Sequence, residues 1–152
     1  MYLTTPYWWW SDESRDTDFT YIHKFDVSHP DGAIYVGSGG VEGSINDQFS
    51  MDEHEGHLRV ATTINRRDTN GDRWARLEPV NRVSVMKLEE DELKIVGATQ
   101  NLAEGERIFS ARFSGHRGFV VTFRQVDPLF AIDFTDPTQP KVLGELKIPG
   151  FS

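Results

Sequence analysis

Short apolar runs rich in β-branched and aromatic residues alternate with polar turns along the whole chain. "TYIHKFDV" (20–27), "AIYVGSGGV" (33–41), "LRVATT" (58–63) and "RVSVMKL" (82–88) are followed by "LKIVGAT" (93–99), "IFSARF" (108–113), "FVVTF" (119–123), "LFAIDF" (129–134) and "VLGELKI" (142–148). Such runs suit a pleated, half-buried surface, and they predict strands. Turn chemistry separates them: His29-Pro30-Asp31-Gly32, Glu55-Gly56, Gly115-His116-Arg117-Gly118 and Asp136-Pro137-Thr138-Gln139-Pro140. No stretch carries a convincing helical period. Glu89-Glu90-Asp91-Glu92 has helix-compatible residues but sits where a hairpin turn is expected.

The runs repeat. "FDVSHPDGAIYVGSGGVEG" (25–43) aligns with "IDFTDPTQPKVLGELKIPG" (132–150), placing Asp26 on Asp133, Pro30 on Pro137, Gly37 on Gly144 and Gly43 on Gly150. "MKLEEDELKIVGATQNLAEG" (86–105) is a looser copy in which Gly97 and Gly105 take the glycine positions. "QFSMDEHEGHLRVATT" (48–63) similarly resembles "IFSARFSGHRGFVVTF" (108–123). The later copies lie roughly 46 residues apart, and four-stranded units of about that length predict β-propeller blades. The expected fold is all-β, with about three four-stranded antiparallel blades over 1–47, 48–105 and 106–152 and a polar loop inserted at 65–81. The first blade lacks an obvious innermost strand. A β-sandwich is the competing architecture. Closed propellers have about 4–8 blades, so three form an incomplete propeller with two apolar flanks. Met1 directly before a strand and Ser152, two residues after the motif-closing Gly150, read as cuts within a repeating fold. The partners implied are further blades of a longer chain, or a second copy that completes a six-bladed ring.

The chain has 152 residues, 24 acidic against 16 basic, and a net charge of -8. That balance argues against nucleic acid and anionic membranes. It has no cysteine, which removes disulfides, thiolate catalysis and Cys-based zinc sites. "MYLTTPYWWWSDES" has no basic segment or long apolar run, so it is not a signal peptide, and no window is apolar for the roughly 18 residues of a membrane span. The sequence therefore reads as soluble.

The segments "YIHKFDV", "NDQFSMDEHEGHLRVATT" and "LAEGERIFSARFSGHRGFVVTFRQVDPLFAIDFTDPTQPKVLGELKIPGFS" resemble a group of secreted bacterial and archaeal proteins. These carry a C-terminal β-propeller domain distantly related to WD repeats. The resemblance implies a propeller fold and an extracellular or envelope location, with an export signal in an N-terminal part absent from this chain. It carries over no catalytic residue. The insertion at 65–81 departs from it.

Candidate chemistry is sparse. "GSGGVEGS" (37–44) lacks the lysine, glycine spacing and following helix of a phosphate loop, and the repeat accounts for its glycines. Asp68, Asn70 and Asp72 put oxygen donors at alternate positions, a possible Ca2+ set, but Gly71 falls too early for an EF-hand loop and an Asn-Gly turn explains it as well. His54 and His57 flank Glu55-Gly56, and His116 occupies the matching turn of the next copy; a solvated turn and a metal site are the two readings. Trp8, Trp10 and Trp74 offer indole faces for ring stacking with a ligand, although aromatics in strands also pack between blades. There is no Gly-x-Ser-x-Gly elbow, and Ser50 and Ser110 recur as packing positions. Asp26 and Asp133 read as Asx-turn acceptors. The function expected is a non-catalytic extracellular propeller module that binds protein or polysaccharide, with no cofactor. The alternative is part of an extracellular hydrolase or lyase whose acidic and histidine side chains meet at the propeller channel.

Overall fold

The structure, a computed structural model, describes residues 1–7, 17–67, 76–123 and 128–147. Eleven strands occupy most of them: β1 (Tyr2–Tyr7), β2 (Phe19–Asp26), β3 (Ile34–Glu42), β4 (Met51–His54), β5 (His57–Arg67), β6 (Arg76–Glu89), β7 (Glu92–Ala98), β8 (Arg107–Ser114), β9 (Arg117–Phe123), β10 (Pro128–Asp133) and β11 (Lys141–Lys147). The described residues contain no α-helix, only a single 3-10 turn at Gln48–Ser50 capped by the Asp47 carboxylate.

Strands pair with their sequence neighbours as antiparallel meanders: β1-β2-β3, then β4-β5-β6-β7, then β8-β9-β10-β11. The first two join through one parallel bridge, Ser38 to Glu92, where the Ser38 N–H donates to the Asp91 carbonyl at 3.1 Å. The third remains a separate sheet. This is an incomplete β-propeller, and the sandwich alternative is set aside by where the apolar side chains go. Leu58 and Val60 of β5 join Ile22, Val41, Met86 and Leu93 in one core cluster. Ala61, one residue on, joins Val83, Val85, Ala111, Val120 and Ile132 in another. Successive side chains point to opposite faces of a strand, so the middle blade is buried on both faces, against the first blade on one side and the third on the other. That is why "LRVATT" reads as a nearly continuous apolar run rather than an alternating one.

One irregularity recurs in every blade. The pairing slips by a residue between Lys24 and Phe25, between Val85 and Met86, and between Ala131 and Ile132. The residues left without a partner are Val36, Val96 and Leu143, each immediately before Gly37, Gly97 or Gly144. A β-bulge turns the strand at that point, and the glycine lets a backbone come close. A Cβ on Gly37 would lie 2.4 Å from the Asp91 carbonyl oxygen, in the β6–β7 turn of the next blade. A Cβ on Gly97 would lie 2.4 Å from the Pro137 carbonyl oxygen, in the β10–β11 turn of the blade after that. At Gly144 no described residue comes within 4 Å. Gly144 shares its blade face with Phe119, Phe123 and Leu146, which are 39%, 54% and 58% exposed.

The segment 65–81, read from sequence as a polar loop, is in its described part a continuation of the β5–β6 hairpin. Arg66 pairs with Leu77 and Thr63 with Asn81. Val80 and Asn81 are buried. Asn81 sits inward because its side-chain amide finds partners there, the Thr63 hydroxyl and the Leu102 carbonyl among them.

Asp26 and Asp133 act as the sequence suggests, each accepting from the backbone N–H two residues on, at 2.8 Å from Ser28 and 2.9 Å from Thr135. Hydrogen bonds from the Thr135 side chain and backbone hold the Asp133 carboxyl below its usual pKa, with help from Arg117 at 2.8 Å. A carboxyl lowered in the folded state stabilises the fold above its unfolded value of about 4, and that contribution disappears as pH falls through the folded value. Asp133→Asn keeps the acceptor and removes the titration. The loss of thermal stability as pH falls below about 4 should therefore be shallower in the variant. Superimposable profiles of melting temperature against pH would refute this role.

Candidate functional site

Histidine, carboxylate and guanidinium groups converge at the seam between the second and third blades, at their first turns. The β4–β5 turn is Glu55-Gly56, both left-handed, with φ of 50° and 76°. Two such residues make the tight hairpin whose twist matches its strands, and they set His54 opposite His57. The β8–β9 turn is Gly115-His116, with Gly115 at φ 54°. It is fixed from behind, because the Phe134 N–H donates to the His116 carbonyl at 2.8 Å.

Arg59 locks the two turns together. It points to the third blade, is 2% exposed, and donates to the Gly115 carbonyl and to the Asp52 carboxylate. Its guanidinium lies 5.1 Å from the Phe113 ring centre and 5.3 Å from that of Phe134. A buried cation is tolerated only when paired and hydrogen-bonded, and Asp52 supplies the opposite charge. Beside this bolt the His54 and His116 rings stand 5.2 Å apart, at right angles. The His54 Nε2 lies 3.7 Å from Glu55 Oε1. A pocket of about 50 Å³ opens here, lined by His54, Glu55, His57, Arg59, His116 and Thr135 among others. It has room for a few waters or a hydrated ion, far below the roughly 300–1,000 Å³ of small-molecule sites.

A larger open groove, about 320 Å³, runs between the 100–106 loop and the third blade, with Gln100, Asn101, Glu106, Phe130 and Gly144 in its walls. A third feature is the aromatic row on the first blade. Tyr21 packs edge-on against Tyr7 and Phe19, and Tyr35 packs against Phe25 and His23. These side chains lie on the face of β2 opposite buried Thr20 and Ile22.

Of the residues singled out from sequence, Asp68, Asn70, Asp72, Trp8, Trp10 and Trp74 lie outside the described residues. The structure brings His54, Glu55 and His116 together, and leaves His57 on the pocket wall with its Nδ1 3.1 Å from the Glu55 carbonyl oxygen. Arg59 was missed, since an arginine in a strand reads as solvent-facing. Its one signal is position, in the middle of a run whose neighbours are all buried.

Among the described residues four carboxyls have shifted proton affinity, and all four shift down: Asp26, Glu53, Asp133 and Asp136. The Tyr2 hydroxyl accounts for most of the shift at Glu53, and burial with Glu53 beside it pushes the Tyr2 pKa up. A general acid of glycoside cleavage needs the opposite shift, so none of these four is equipped for it. No helix among the described residues is long and apolar enough to cross a membrane.

Comparison with known proteins agrees with the propeller architecture. An uncharacterised protein of Methanocaldococcus jannaschii is 44% identical over 138 residues, 91% of this chain and 20% of its own length. An uncharacterised protein of Archaeoglobus fulgidus is 40% identical over 139 residues, again 91% of this chain and 19% of its own. The chain thus spans about a fifth of the length of these relatives. No solved structure matches it. The family description "Beta propeller domain" matches residues 1–152. With three meandering sheets packed face to face around a doubly buried middle one, the chain belongs to the β-propeller domain family.

Proposed function

We propose that this chain supplies three blades of a larger ring, and that the ring is a non-catalytic module binding protein or polysaccharide outside the cell. The observation that carries the first part is Gly144. It holds the bulge position of Gly37 and Gly97, each closed over by the next blade's turn, yet its own face is open and apolar. A further blade, from a longer chain or a second copy, fits that face by the rule the other two seams follow. The length of the relatives is in keeping with a longer chain.

Propellers display turns and loops around a rigid disc, and loops positioned by a rigid scaffold are where binding residues concentrate. The acidic surface and the groove lined by Gln100, Asn101 and Glu106 suit hydroxyl-rich or basic ligands more than polyanions. Secretion, and kinship to WD-type repeats, rest on the sequence resemblance alone. Fold does not decide activity, so the test measures binding and turnover together. The full-length protein is run through native gels cast with neutral envelope polysaccharides, and soluble sugar is assayed in the same lanes. The expected result is retardation without released sugar. Release of reducing or unsaturated ends would replace this reading with a hydrolase or lyase.

A further inference from the structure

We infer that His54, Glu55 and His116 form a divalent transition-metal site, of zinc type, that pins the second blade to the third. One ligand atom from each of the three lies within 4.8 Å of the others. Two come from one turn and the third from the matching turn of the next blade, 60-odd residues along the chain. The second observation is His54 Nε2. It is buried, and no hydrogen bond reaches it among the described residues. Buried polar atoms nearly always have a partner, and this one is aimed at the Glu55 carboxylate and sits beside the His116 ring.

The donor set selects the ion. Two imidazoles and one carboxylate suit zinc and its neighbours; calcium prefers oxygen alone. Bonds of about 2.0–2.2 Å place tetrahedral donors about 3.4 Å apart. His54 Nε2 and Glu55 Oε1, 3.7 Å apart, are already near that spacing; the cluster as a whole must contract by up to about 1.4 Å, which Glu55 and His116, both solvent-exposed at turn tips, can supply by rotating their side chains. Three protein ligands leave a fourth position to water, for which the adjoining pocket has room. Arg59, on the pocket wall, opposes a cation. Its charge is engaged by Asp52, and Glu55 adds a second negative charge facing the ion. The site is independent of whatever the propeller binds, because it lies in a seam between blades.

The test titrates metal-free protein with Zn2+ by calorimetry and with Co2+ by visible absorption, and follows melting with and without Zn2+. One equivalent should bind, the Co2+ complex should show the intense d–d bands of a tetrahedral site, and Zn2+ should raise the melting temperature. His116→Gln and His54→Gln should each weaken binding by more than about tenfold, the loss that even an outer-shell partner produces, and should abolish the Zn2+-dependent rise. His29→Gln, at an exposed turn of the first blade, should change neither. His116 is exposed at a turn, so its variant should fold even if that of His54 does not. Absence of tetrahedral Co2+ bands, or binding that survives both histidine substitutions, would overturn the site.

Discussion

Asn81→Ala should cost about 3 kcal/mol, lowering the melting temperature by about 6–12 °C for a chain of this size. Asn81 is fully buried in β6, where both ends of its side-chain amide are hydrogen-bonded. Its Oδ1 accepts from the Thr63 hydroxyl at 2.8 Å. Its Nδ2 donates to the carbonyls of Leu102, Ala103 and Glu106 at 3.2, 3.3 and 3.1 Å. The same Thr63 hydroxyl accepts from the Ile108 N–H at 3.1 Å. One amide therefore holds the irregular 102–106 segment to the second blade and, through Thr63, fixes the start of β8. Irregular backbone is seldom buried unless something satisfies it, and here Asn81 does. Alanine would leave carbonyls facing a small cavity. Asn81→Leu separates the causes. It refills the volume without the hydrogen bonds, so it should rescue little if bonding dominates. An alanine variant melting within a degree or two of the parent would show that water substitutes freely for the amide.

Asn81 also marks where sequence reasoning stopped. The strand runs, the hairpin turns, the recurring glycines and the four strands of each of the later two units were legible, because period-two burial and turn chemistry are local signals. Asn81 was not, since it stands beside "NRRDTNGDRWARLEPV" and a polar residue there reads as loop. Its burial depends on three carbonyls more than 20 residues away. Arg59 failed to show for the same reason: its partners are Asp52, the Gly115 carbonyl and two phenylalanines of another blade. The histidines were visible as matching turns, "EHEGH" and "SGHRG", but not as neighbours, because only the stacking of one blade on the next brings His116 to His54. Local pattern thus gave the blades, and the polar seam between them needed coordinates.

Gly97→Val should cost at least about 3 kcal/mol in this chain, whereas Gly144→Val should change stability by less than roughly 0.5 kcal/mol. The two glycines hold the same place after the same bulge. Only Gly97 has a neighbour: a Cβ there would meet the Pro137 carbonyl oxygen at 2.4 Å and that of Thr138 at 2.8 Å. Both are backbone atoms of a turn braced by the Asp136 carboxylate, which accepts from the Thr138 N–H at 3.0 Å, so relief requires the whole β10–β11 turn to move. Moving it opens the seam that buries Val83, Val85 and Ile132. At Gly144 a β-branched side chain meets no described atom and suits a strand better than glycine does. The contrast becomes a measure of ring closure when Gly144→Val is placed in the full-length protein. If another blade seats its turn over Gly144, the substitution that is silent in this chain should there cost about as much as Gly97→Val does here. Equal indifference in both contexts would mean that no turn covers Gly144, and the proposal of a further blade on that face would fail.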